Sequence, residues 1–285
     1  MNPPKTITVF THQYPGDTKE AVRRLIEAAS RQGVQLRFPP GEGEKHDVGD
    51  YSNCAVDVPV DGETDLAVVL GGDGTILSAL RSFAGSPTPV FALNYGAIGF
   101  LSTVDHGELD RGLELALAGD FETIAMPALG VEWEGEMRLG VNDISFERRA
   151  SNRVARLEYC VGGEELGKVR CDGLVAATPV GSTGYNLANG GPVLAWGVEG
   201  FVVSFVAPHT LTARALVVAP QDALTVRNLS EREAVDVTTD GRPIGALEPG
   251  RELDVSFREE QVLLAQIPGS SFYHRFREKF GRLAH

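Results

Sequence analysis

The 285-residue chain is poor in the features that mark several protein classes. It has three cysteines, Cys54, Cys160 and Cys171, an odd set in which no pair has metal-ligand spacing. A disulfide scaffold and a structural zinc site are therefore excluded, and the thiols read as reduced. No apolar run approaches the length that spans a membrane. Met1 to Phe10 lacks the apolar stretch of a signal peptide, so the expectation is a soluble, cytoplasmic protein. Basic residues are in deficit, with a net charge of −13. That argues against general binding to nucleic acid or to an anionic membrane, both of which need surplus Lys and Arg. The six histidines form no His-x-x-x-His pair. No Gly-x-Gly-x-x-Gly follows a strand pattern, and Gly181-Ser182 lacks the nucleophile-elbow pattern, so a dehydrogenase and a serine hydrolase are disfavoured. Gly162 to Lys168 nearly spells a P-loop, but Val169 stands where Ser or Thr is needed and the flanks read as a hairpin.

What is present centres on Leu66 to Thr75. Five apolar residues run into Gly71-Gly72-Asp73-Gly74-Thr75, and Ile76, Leu77, Leu80 and Phe83 then follow at helical spacing. A continuous apolar run reads as a strand of a parallel sheet, buried on both faces. Strand, glycine turn and helix start together suit phosphate, because backbone N–H groups at such a turn point at the ligand. Asp73 is the odd member, since a carboxylate beside phosphate needs a metal or a reacting proton to justify it.

Upstream, Thr6–Phe10 and Val34–Phe38 read as strands. Asp17-Thr18 can cap a helix whose apolar face is Ala21, Val22, Leu25, Ile26 and Ala29, ending at Gly33. Pro39 to Thr64 reads mostly as a solvated loop, with a strand only at Ala55–Val60. Pro89–Asn94 is another buried strand, and Leu109–Leu117 a helix. This alternation predicts a doubly wound α/β domain over residues 1–122. Ligands of such sheets bind beyond the carboxyl ends of the strands, where the Gly71–Thr75 turn and the Asn94–Leu101 loop fall. From Phe121 the texture becomes short strands without long helices, among them Leu129–Trp133 and Met137–Phe146 around a Glu134-Gly135 turn, and later Leu253–Phe257 and Val262–Ile267. An antiparallel β-sandwich over residues 123–268 follows. Residues 269–285, with Phe272–Leu283 amphipathic, form a last helix that returns to the first domain.

A second dense cluster runs from Cys171 to Asn186 and ends at Asn189-Gly190-Gly191-Pro192. Its hydroxyls and amides can satisfy a polar ligand, and the face of Tyr185 can stack on a base. Glu147, Arg148 and Arg149 read as a solvated strand end.

The Gly71–Thr75 motif resembles the nucleotide-site signature shared by NAD kinases, by diacylglycerol and sphingosine lipid kinases and, more distantly, by phosphofructokinases. The remaining motifs select the NAD kinases. In order they are Gly96-Ala97-Ile98-Gly99-Phe100-Leu101, Asn142-Asp143, Asp172-Gly173-Leu174, Thr178 through Tyr185, and Gly190-Gly191-Pro192. Pro208-His209-Thr210-Leu211 and Asp240-Gly241-Arg242 resemble two later landmarks. The likeness spans roughly residues 66–280. Two positions depart from the pattern: Asp143 replaces the family's Glu, and Gly184 its Ala. They leave open the ribose contact and the stiffness of the loop.

The resemblance implies transfer of the terminal phosphate of ATP to the 2′-hydroxyl of the adenosine ribose of NAD. Asp73 would receive the hydroxyl proton. Gly71, Gly72, Gly74 and Thr75 would cradle the donor phosphates. Asp73, Gly74, Asn142, Asp143, Thr183, Gly184, Tyr185, Asn186 and Ala188 would line the NAD site. Arg170 and Asp172 would reach it from a neighbouring subunit, implying a homodimer or homotetramer. Arg153 and Arg242 are further candidates, equally readable as solvated arginines. Mg²⁺ is implied, because ATP phosphates need a cation and the loop offers no Lys. The rival readings are a lipid kinase of the same superfamily and a nucleotide-binding regulator that has lost catalysis.

Overall fold

The structure is a computed structural model, described for residues 2–96, 99–149 and 153–281. The chain divides into two compact units. The first comprises Met1–Ala125 and Val262–His285, and the second Met126–Gln261.

The first unit is a parallel sheet flanked by helices. Its strand order is Cys54–Val56, Gln35–Phe38, Thr6–Thr11, Leu66–Gly71, Pro89–Asn94. Leu263 and Leu264 then pair in parallel with Pro89 and Val90. Leu66–Gly71 and Pro89–Asn94 are buried at every position, as continuous apolar runs require. The helix Pro15–Gln32 covers the sheet with Ala21, Val22, Leu25, Ile26 and Ala29 and stops at Gly33, φ 69. Its start differs from the expected cap at Asp17-Thr18. Pro15, whose ring presets a helical φ, opens the helix after Tyr14. Asp17 therefore falls in the first turn, and Thr18 is buried on the inner face. The stretch expected to be mostly loop holds a short helix, Glu42–His46, and a shorter strand than predicted, Cys54–Val56. Leu109–Ala118 is a helix, with Leu113, Ala116 and Leu117 inward. The final helix is Phe272–Phe280, capped by the Ser271 hydroxyl accepting from the His274 N–H. Phe100 meets the rings of Phe272 and Phe280 edge-on, with centroids 5.8 and 6.0 Å away. Ala97, Ile98 and Leu283, which the expected loop and helix include, lie outside the described residues.

The second unit is two antiparallel sheets face to face. One has the order Leu216–Val218, Phe201–Val206, Gly173–Ala177, Asp143–Arg148, Val235–Thr239, Arg242–Leu247. In the other, Glu164–Cys171, Ala155–Val161, Leu224–Asn228 and Glu252–Gln266 adjoin in turn, and Glu122–Trp133 joins Glu252–Gln266 to Glu136–Gly140. A single apolar cluster fills the space between them, with Phe146, Leu174 and Phe201 from one sheet and Leu129, Leu157 and Val255 from the other.

Three departures from expectation have physical causes. Leu253–Phe257 and all of Val262–Ile267 but its last residue are parts of one strand, Glu252–Gln266. Arg258, Glu259 and Glu260 interrupt the apolar pattern without stopping the strand, because they are exposed and the ladder is made by backbone. Arg242–Leu247 is a strand that Pro243 and Gly245 hide from pattern reading. It is the last strand of its sheet, where proline is tolerated. Gly245 also leaves room for the Trp133 ring, which an added Cβ would meet at 2.1 Å. The expected strand Met137–Phe146 breaks at Val141-Asn142 into Glu136–Gly140 and Asp143–Arg148.

Candidate functional site

In the first unit, the strand Leu66–Gly71 ends and the helix Asp73–Ser82 begins within one residue, with Gly72 as its N-cap. The first N–H groups of a helix have no intrahelical acceptor, so they point outward from this turn. Thr75 and Ile76 donate back to the Gly72 carbonyl, at 2.9 and 3.0 Å. Each glycine has a different reason. A Cβ on Gly71 would lie 2.7 Å from the Thr75 side chain, and one on Gly96 2.7 Å from the Gly72 Cα. The two loops thus touch backbone to backbone. A Cβ on Gly74 would meet nothing within 4 Å. No packing among the described residues demands that glycine, so the open space beside it is available to a ligand.

Asp73 is half-buried, and both of its carboxylate oxygens accept backbone N–H groups. Phe100 donates at 3.1 Å and Leu101 at 3.0 Å. The Asn94 side chain organises the same loop, accepting from the Gly96 N–H at 2.9 Å and donating to Asp105 at 3.2 Å. An ionised carboxylate has about four acceptor positions, so Asp73 retains capacity for a proton or a hydroxyl.

In the second unit, the break at Val141-Asn142 is held by Asp240. Its carboxylate accepts the N–H groups of Val141, Asn142 and Asp143, at 3.1, 2.6 and 3.1 Å. Asp240 and Gly241 have φ 47 and 72 and close the hairpin between Val235–Thr239 and Arg242–Leu247, a turn that Asp-Gly favours. Thr178 ties the next loop to this one: its hydroxyl donates to the Val141 carbonyl at 2.7 Å, and its N–H to the Asn142 carbonyl at 2.9 Å. A Cβ on Gly181 would stand 2.0 Å from the Asn142 carbonyl oxygen, so the two loops are in backbone contact. The Asn142 Oδ1 is buried, and no donor among the described residues reaches it. A buried acceptor without a partner is costly, and here it marks a place that a ligand can satisfy.

Asp143 is 6% exposed at the start of its strand. Burial, then the negative charges of Asp240 and Glu147, push its carboxyl up to about 7. Burial raises the Tyr185 hydroxyl too, followed by the charges of Glu147, Asp143 and Asp172. These groups therefore share one neighbourhood. Tyr185 opens the short helix Tyr185–Ala188, and Gly181–Thr183 forms a turn of 3₁₀ helix before it, where a plain loop was expected. The Asn186 amide donates to the Ser182 and Pro192 carbonyls at 2.9 and 3.0 Å, folding the Gly190-Gly191-Pro192 end back on the loop. Thr183 and Tyr185 are half-buried, and Gly184 and Ala188 exposed. At Gly184 an alanine Cβ would meet the Gly181 carbonyl at 3.3 Å.

Glu147 and the two arginines after it are not a free strand end. Arg148 pairs with Asp172 at 2.6 Å, Arg149 with Asp236 at 2.7 Å, and Glu147 accepts from the Ser145 hydroxyl at 2.7 Å. Arg153 and Arg170 are not gathered with Asn142. They line a separate recess of about 870 Å³ with Arg156, Lys168 and His209. Arg153 also pairs with Glu233 at 3.1 Å, and Arg242 is exposed at the foot of its hairpin. Sequence reasoning missed the work of Asp240, Asn94 and Arg148. The available signals, Asp240-Gly241 as a tight turn and Asp240-Gly241-Arg242 as a family landmark, say where the chain reverses and not what the carboxylate holds.

The ATP-NAD kinase N-terminal domain profile matches residues 15–121, and the ATP-NAD kinase C-terminal domain profile matches residues 141–266. The chain belongs to the NAD kinase family. An NAD kinase of Syntrophotalea carbinolica is 33% identical over 82% of this chain and 84% of its own length. Among solved structures, an NAD kinase from Archaeoglobus fulgidus in complex with ATP is similar at a TM-score of 0.75, with 25% identity over 98% of each chain. Yeast NADH kinase complexed with NADH shares the fold at a TM-score of 0.85, covering 99% of this chain and 89% of its own, with 23% identity. NAD kinases are phosphotransferases, and this chain is an enzyme of that class; the lipid-kinase reading is not favoured. Among the described residues no helix is long and apolar enough to cross a membrane.

Proposed function

We propose that this NAD kinase family member binds NAD and ATP and joins the 2′-oxygen of the adenosine ribose of NAD to the terminal phosphorus of ATP. As that bond forms, the bond from phosphorus to the bridging oxygen breaks and ADP leaves with the electron pair. The ribose hydroxyl proton passes to Asp73, and the product is NADP. Asp73 carries the proposal: it is the proton acceptor within Gly71–Thr75, placed where a parallel strand ends and held by two amides. A carboxylate is a weak base for a sugar hydroxyl, so the proton moves late, as the oxygen attacks.

The outward N–H groups of the turn, with Thr75 and the space beside Gly74, would receive the donor phosphates. Asn142, through its unsatisfied Oδ1, would hold the adenosine with Asp143, Thr183, Gly184, Tyr185, Asn186 and Ala188. Arg170 and Asp172 would reach the NAD site from a neighbouring subunit of a homodimer or homotetramer, and Arg153 and Arg242 are further candidates for that site. Among the described residues no group of three or more His, Cys, Asp or Glu side chains could hold a metal alone. That fits Mg²⁺ carried on the ATP phosphates rather than in a cage of protein side chains. The ion would offset charge on the transferring phosphoryl group. The cytoplasm, where both nucleotides are found, is the proposed location.

Purified protein given NAD, Mg²⁺ and either ATP or polyphosphate tests this. NADP formation is the expected result. Stabilisation by NAD without any NADP would instead identify a regulator, and phosphorylation of diacylglycerol or sphingosine a lipid kinase.

A further inference from the structure

Arg275, in the final helix, is 8% exposed, which is rare for an arginine and requires its donors to be matched. Its guanidinium donates to the Ser102 carbonyl and, at 3.4 Å, to the Phe100 carbonyl. The other arm donates to the Gln266 side chain and, at 3.3 Å, to the Ser270 hydroxyl. Phe100 and Leu101 are the residues whose N–H groups hold Asp73. One short segment thus offers carbonyls to a buried cation and amides to the Asp73 carboxylate. Gly99, φ 64, bends the segment, and its carbonyl accepts from the Ser102 hydroxyl at 2.9 Å. Sequence separation is large, with Ser102 and Arg275 173 residues apart.

We infer that Arg275 is a positioning residue for Asp73, acting through the Phe100–Ser102 segment. This rests on the reading of Asp73 as proton acceptor. One guanidinium nitrogen, Nη1, holds both carbonyls while Nη2 is anchored on Gln266 and Ser270, so the Phe100 and Leu101 amides keep a single orientation toward the carboxylate. Lysine keeps the charge and offers one point instead of a planar fork.

The test compares Arg275→Met, Arg275→Lys and Asp73→Asn in the full chain, reading kcat and KM for NAD. Phe276→Leu serves as the control. Phe276 stacks on Phe272 and Phe280 in the same helix, so its loss loosens the helix without removing the carbonyl contacts. Arg275→Met is expected to lower kcat about 10- to 100-fold, the scale of a small misplacement in a reacting site. KM for NAD should stay within about threefold. Arg275→Lys should recover part of the loss, and Phe276→Leu should lower Tm with kcat unchanged. Wild-type kcat in folded Arg275→Met, beside an inactive Asp73→Asn, would overturn the inference alone. Full turnover in Asp73→Asn would overturn the reading of Asp73 and this inference together. Equal kcat losses in Phe276→Leu and Arg275→Met would make the effect structural and also overturn it. If Arg275→Met does not fold, Arg275→Lys decides: a lowered kcat at normal KM supports the role, and a normal kcat removes it.

Discussion

The turn at Gly71–Thr75 and the turn at Val141–Asp143 each place an aspartate where a buried strand meets a loop, and the surroundings of the two acids are opposite. Asp73 is half-buried and faces donors, the N–H groups of Phe100 and Leu101. Asp143 is buried and faces other acids, Asp240 and Glu147, which with burial push it up to about 7. In the second turn the backbone donors go to Asp240 instead. The lesson is that residue type alone does not assign a carboxylate's task. In the proposed reaction Asp73 accepts a proton, whereas Asp143, pushed up to about 7, spends much of neutral pH protonated and able to donate a hydrogen bond.

The largest expected effect is at the first acid. Asp73→Asn keeps size and hydrogen-bonding reach but not basicity, so kcat should fall about 10²–10⁴-fold. If Asp73 only supported the start of its helix, the cost would be about 1 kcal/mol of stability with kcat intact. Steady-state kinetics with a melting curve separates the two.

At the second acid the expected signature is pH dependence. Its carboxyl is raised from 3.8 to about 7 on folding, so the folded chain binds the extra proton. The stability this gives is complete below about 3.8 and is lost as pH rises through about 7, amounting to as much as about 4 kcal/mol. Asp143→Asn should flatten that slope, and at pH 8 should be more stable than the parent. Chemical denaturation at pH 5, 6.5 and 8 would show it; identical slopes in the two proteins would refute the raised acid.

The glycines sharpen the contrast at smaller scale. Gly181→Ala drives a Cβ into the Asn142 backbone and should cost at least about 1–3 kcal/mol. Gly74→Ala meets open space in the first turn of a helix, so stability should hold or rise by up to about 1 kcal/mol. KM for ATP should nevertheless rise, because the new methyl would occupy the open space proposed for phosphate. An unchanged KM would place the phosphates elsewhere. Smallest of all, Arg149→Ala removes an exposed pair with Asp236 and should shift stability by less than about 1 kcal/mol, leaving turnover unchanged.

The first turn was legible in sequence and the second only in part, for one physical reason. Strand, glycines, acid and helix start of Gly71–Thr75 are contiguous, so periodicity and turn chemistry locate them together. The second turn depends on partners far along the chain: Asp240 lies 97 residues from Asp143, and Thr178 reaches back 37 residues to Val141. The sandwich was readable from its short strands, but Arg242–Leu247 was not, since Pro243 and Gly245 suit only an edge strand beside a tryptophan. Arg148 looked like a solvated charge because nothing in its neighbours names Asp172 as its partner. The motifs marked the candidate site; the side chains that hold those motifs in shape needed the fold.

The most direct test is NAD binding to Asp73→Asn, measured by calorimetry beside its turnover. The account predicts an NAD Kd within about threefold of the parent, because the amide still hydrogen-bonds the ribose, while turnover is lost. A Kd that weakens in proportion to the loss of turnover would make Asp73 a binding group and contradict its role as proton acceptor.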